Sequence, residues 1–72
     1  MHIGHLIEKE LKGQERTVTW FAKQLNCDRT NIYNIFNRVT IDTELLIHIS
    51  KVLNKDFFLV ISEEINRVDG VE

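Results

Sequence analysis

At 72 residues, with 43% hydrophobic and 28% charged residues, the chain has room for one small core and the make-up of a globular domain, not a disordered one. A lone cysteine, Cys27, excludes an internal disulfide framework and a thiolate pair for structural zinc, and it points to a reducing compartment. The absence of proline, with only three glycines, favours helices over many short strands, and a net charge of −2 weighs against nucleic acid until its distribution is considered.

In chain order, Ile3, Leu6, Ile7 and Leu11 recur at helical spacing and predict an amphipathic helix over about 3–12. KGQER at 12–16 is a polar turn, with Gly13 as the expected helix stop. Val18, Phe21, Ala22 and Leu25 predict a short second helix capped by Thr17 and ending near Asn26, a residue that tolerates the left-handed conformation. Asp28 opens a third helix whose apolar side is Ile32, Ile35, Phe36 and Val39. After a loop at 38–41, Asp42 caps a fourth helix with Leu45, Leu46, Ile49, Val52 and Leu53 inward. Asn54 to Asp56 form a turn with Asp56 as cap. FFLVIS at 57–62 fits both periodicities: alternation of Phe57, Leu59 and Ile61 suits a strand, while Phe57, Phe58, Ile61 and Ile65 suit a helix. A short fifth helix is the preferred reading, and a β-ribbon used for dimerisation is the alternative. The fold class expected is therefore all-α, a compact domain of four or five helices over 1–62. Residues 63–72 are read as an acidic tail, open to being flexible.

Charge is unevenly spread. From Ser62 to Glu72, Glu63, Glu64, Asp69 and Glu72 face only Arg67, a net of −3 that leaves +1 for the rest. From Thr17 to Arg38, Lys23, Arg29 and Arg38 oppose only Asp28. No stretch approaches 18 apolar residues, and MHIGHLIEKE lacks the basic start and apolar run of a signal peptide, so a soluble cytoplasmic protein is expected. His2, His5 and His48 form no metal constellation with carboxylate or thiolate, and no phosphate loop, nucleophile elbow or paired acids appear. Neither an enzyme nor a cofactor is expected.

Two short helices joined by a three- or four-residue turn are the core of a helix–turn–helix, and residues 18–37 meet its local requirements. Ala22 is small enough for a close helix crossing, Asn26 can take positive φ, and Cys27 is a small apolar plug behind the turn. TVTWFAKQLNCDRTNIYNIFNR, followed by IDTELLIHISKVLN, resembles the Cro/repressor-type (XRE, lambda-repressor-like) helix–turn–helix family over about residues 3–60. The order Phe21-Ala22, Leu25, Asn26, Cys27, Asp28, Ile32 and Ile35 carries the resemblance. It implies a five-helix bacterial or phage transcription regulator. Three positions depart from the family's pattern: Val18 stands where glutamine usually touches a phosphate, Asn26 replaces the turn glycine, and Arg38 replaces the glycine after the recognition helix.

On the third helix the polar side carries Arg29, Thr30, Tyr33, Asn34 and Asn37 and no acid. Arginine suits guanine and asparagine suits adenine in the major groove. Arg29 and Thr30, near the N-terminal end, should lie deepest. By resemblance these two and Asn34 match base-contacting positions. Lys23, Asn31, Tyr33, Asn37 and Arg38 are candidates for phosphate or groove-wall contact, and Thr17 and Thr19 could donate to phosphate from the preceding helix. The expected partner is double-stranded DNA, bound by a homodimer through Phe57–Ile65, with no membrane and no small-molecule substrate. Asp28 is read as a helix cap, and Trp20 either as partly packed or as an exposed anchor for a protein partner. The second option belongs to the rival reading, a protein-interaction module, antitoxin-like or accessory, on the same fold, using Trp20 and the acidic tail.

Overall fold

The computed structural model describes residues 1–67, and all the secondary structure within them is helical. The order is α1 (Ile3–Gly13), α2 (Val18–Gln24), α3 (Arg29–Phe36), α4 (Thr43–Leu53) and α5 (Phe57–Asn66).

Each helix begins on a side chain that accepts the N–H three residues on. Thr17 Oγ1 takes Trp20 N–H at 2.9 Å, and Asp28 Oδ1 takes Asn31 N–H at 2.9 Å. Asp42 Oδ2 takes Leu45 N–H and Asp56 Oδ1 takes Leu59 N–H, both at 3.0 Å. For α1 the acceptor is His2 Nδ1, 3.2 Å from His5 N. These caps satisfy donors that the helix itself cannot.

Three helices end in the same way, with a left-handed residue in a Schellman arrangement. After α1, Arg16 N–H reaches the Leu11 carbonyl and Glu15 N–H the Lys12 carbonyl, with Glu15 at φ 58°. After α2, Cys27 reaches Ala22 and Asn26 reaches Lys23, with Asn26 at φ 57°. After α4, Lys55 reaches Ser50 and Asn54 reaches Lys51, with Asn54 at φ 51°. Gly13 closes α1, as expected, but is not where the chain reverses. It remains helical, and the reversal falls on Glu15, which bears the steric strain that a glycine there would avoid.

The core draws Ile3, Ile7 and Leu11 from α1, Phe21 and Ala22 from α2, and Ile32, Ile35 and Phe36 from α3. Leu46, Ile49 and Leu53 from α4 and Phe57 from α5 complete it. No polar or charged residue is buried among those described. Burying each of the larger side chains is worth about 1.5–3 kcal/mol. Leu45 and Val52, expected inward, sit at the edge of the core, half-buried.

Val39 departs from expectation. It lies beyond α3 and is 58% exposed, because the helix stops at Phe36 and the chain turns away to meet α1. FFLVIS is helical: the Asp56 cap starts α5 and only Phe57 reaches the core fully. The helix continues through 63–66, so the first part of the segment read as a tail is ordered as helix. The rest of that segment, 68–72, lies outside the described residues. No helix among those described is long and apolar enough to cross a membrane.

Candidate nucleic-acid interface

The unit formed by α2 and α3 is built locally. Thr17 starts α2 and Asn26 reverses the chain. Asp28 then restarts it four residues after α2 ends. Ala22 is buried on α2, one of the two helices that meet in this corner. Its small side chain permits the close approach.

The burial of Ile32, Ile35 and Phe36 fixes the rotation of α3. At roughly 100° per residue, the opposite side is centred on Thr30, Asn34 and Asn37. Arg29 and Tyr33 flank that centre on one side and Asn31 on the other. All of these are exposed, as are Thr17, Thr19 and Lys23 on and before α2 and Arg38 after α3. Tyr33 does two things: it is 47% exposed, and its ring meets Phe36 edge-on with centroids 6.1 Å apart.

Three of the candidates are gathered into one groove. Asn31, Asn34 and Arg38 rim a depression of about 350 Å³ whose floor is Leu25, Cys27, Ile35 and Leu45. Arg29 and Tyr33 lie on the other flank of α3. Nothing local in the chain signals this groove. Leu45 reads as core from its place in the α4 ladder, and only the placing of α4 beside α3 brings it into the groove floor.

Electrostatically the face is uncompensated. Among the described residues the ion pairs are Lys12–Glu8, Lys55–Glu10 and Arg67–Glu64, and none involves Lys23, Arg29 or Arg38. The single acid at the head of α3, Asp28, accepts Asn31 N–H through Oδ1 as the helix cap and remains exposed. Burial, and secondarily the Asp28 charge, push the Cys27 thiol above its ordinary value, so it stays protonated and apolar under the turn. Trp20 is half-buried against the core, with the Arg16 guanidinium 4.3 Å from the centre of its ring. Among the described residues no cluster of three or more His, Cys, Asp or Glu could hold a metal ion.

No family model, curated protein or solved structure matches the chain. The geometry of α2 and α3 therefore carries the functional argument alone. What it offers is a short, capped helix with a face of hydrogen-bonding side chains, three cations on or beside it outside any ion pair, and a single acid, the capping Asp28.

Proposed function

We propose that this chain is a helix–turn–helix domain that binds double-stranded DNA sequence-specifically and acts as a small transcriptional regulator of the Cro/repressor type in the cytoplasm. In this reading the segment 28–37 enters the major groove, which is wide enough for an α-helix. Arg29, Thr30 and Asn34 contact base edges. Thr17, Thr19, Lys23, Asn31, Tyr33, Asn37 and Arg38 contact phosphates or the groove walls.

The observation that carries the reading is the coincidence on α3 of a core-locked inner side with an exposed, acid-free outer side. A merely solvated helix has no need of that exclusion. Regulation works by occupancy of the site, which excludes or positions polymerase.

Three cations per chain make a weak electrostatic footprint, so we infer a homodimer that doubles it. The surface for this is α5, where Leu59 is 56% and Ile65 75% exposed and Phe58 lies beside them at the surface. Two copies would set their α3 helices in successive major grooves about 34 Å apart. The rival protein-interaction reading relies on Trp20 and the acidic tail; Trp20 is half-buried with Arg16 over its ring, and the tail from 68 onward lies outside the described residues.

Selection of bound sequences from a random duplex pool tests the proposal. Recovery of a palindrome, with affinity falling steeply as salt rises, is the expected result. No binding at about 50 mM salt, where even non-specific phosphate contacts are strong, overturns it.

A further inference from the structure

The first turn of α1 is tied to the end of α3. A helix leaves its first N–H groups without internal partners. In α1 the N–H of Ile3 donates to the Val39 carbonyl at 3.2 Å, and that of Gly4 to the Arg38 carbonyl at 2.9 Å. The His2 ring accepts the next donor, His5 N–H. The Arg38 peptide is thus held from both sides, since its own N–H reaches the Ile35 carbonyl at 3.0 Å.

Only glycine permits this approach. Gly4 is buried, and a Cβ placed on it would overlap the carbonyl oxygens of Phe36 and Ile35 and come within 2.6 Å of the Phe36 carbonyl carbon. These are backbone atoms at the end of α3 and cannot swing aside. Any side chain at position 4 must push the start of α1 away from α3 and break the Gly4–Arg38 hydrogen bond.

From this we infer that Gly4 is a positioning residue for DNA binding: through the Arg38 carbonyl it fixes where the chain leaves α3, and so where the Arg38 guanidinium meets a phosphate. The inference rests on the DNA-binding reading above. It extends the interface to α1, a helix that touches no DNA in that reading. The backbone of Arg38 is clamped while its side chain, at the rim of the groove and free of any carboxylate, is available to a ligand.

The test uses the full chain and the salt dependence of duplex affinity. Arg38→Ala should flatten the slope of log K against log salt by about 1.8, the increment for two phosphates left unneutralised, one per subunit of the dimer. Gly4→Ala should flatten it equally, and the double variant no further. A purely structural defect lowers the folded fraction without changing that slope. Should Gly4→Ala not fold, chemical synthesis can replace the Ile3–Gly4 amide with an ester, which removes the donor and adds no atom; the same flattening is expected. In the absence of DNA, the backbone order parameter of Arg38 should fall from about 0.85 to below about 0.6 in either variant, with Ile7 and Ile49 unchanged.

A wild-type chain that binds duplex, with variants that keep its slope and an ordered Arg38, overturns this inference and leaves the DNA reading standing. A wild-type chain that binds no duplex overturns both, even if Arg38 loses order as expected.

Discussion

The side-chain amide of Gln14 donates to the main-chain carbonyl of Leu53 at 2.7 Å, joining the end of α1 to the end of α4 across 39 positions of sequence. The same nitrogen lies 2.8 Å from Glu10 Oε2, and Glu10 in turn faces Lys55 at 4.0 Å. A carbonyl in the last turn of a helix has no partner within it, and here a side chain from another helix supplies one. Gln14→Ala should therefore cost about 1 kcal/mol, read as a fall of roughly 4–8 °C in the thermal midpoint. An unchanged midpoint would show that water replaces the amide without loss.

Glu15 predicts a change of opposite sign. It is exposed and held at φ 58°, where a Cβ is disfavoured and glycine is not. Glu15→Gly should stabilise the fold by up to about 1 kcal/mol, the relief of strain exceeding the added freedom of the unfolded chain. Denaturant unfolding measures it. A lower midpoint would mean that the left-handed reversal is not where the strain lies.

Asp28 separates capping from charge. Asp28→Ala removes the acceptor of Asn31 N–H and should cost about 1 kcal/mol of stability. Asp28→Asn keeps a comparable cap and removes a negative charge from the head of α3. Its stability should be near that of the parent, and its affinity for duplex should rise several-fold, most at low salt. Weaker binding by Asp28→Asn would instead mark the carboxylate as an acceptor for a base.

The readers of sequence and the holders of backbone should part company in affinity measurements. Arg29→Ala and Asn34→Ala should each relax the preference at one base pair, at a cost of about 1–3 kcal/mol on the selected site. Lys23→Ala should weaken all sequences alike and flatten the salt slope by about 1.8, two phosphate contacts per dimer. Equal losses on selected and random duplexes for Arg29→Ala would move that residue to the phosphate group.

On α5, Leu59→Glu and Ile65→Lys place charges at two exposed apolar positions. Sedimentation should show a dimer for the parent and a monomer for the double variant, with duplex affinity reduced more than tenfold. A double variant that sediments like the parent would place the subunit contact elsewhere.

Much of this architecture was legible because it is encoded over three or four residues. Thr17, Asp28, Asp42 and Asp56 announce their helices by a side-chain oxygen ahead of an apolar repeat, and each caps the helix expected. The polar face of α3 follows from the spacing of Ile32, Ile35 and Phe36 in the same way. What escaped depends on distant partners. His2 is not a usual cap, so the start of α1 carried no such signal. Gly13 marked the end of α1 but not the left-handed reversal, which falls two residues later on Glu15, while Gly4, whose role rests on carbonyls at 35, 36 and 38, carried no local mark at all. Val39 continues an apolar period past the point where the backbone has already turned towards α1.

The five caps also bear on time. Each start signal lies within four residues of the donor it satisfies, so every described helix can begin before any other has formed. Helical chains dominated by such short-range links fold in microseconds to milliseconds, whereas ribosomes add only about 5–20 residues per second. How quickly a fresh copy is folded is then governed by its synthesis, and pairing with a second copy is the step left to concentration.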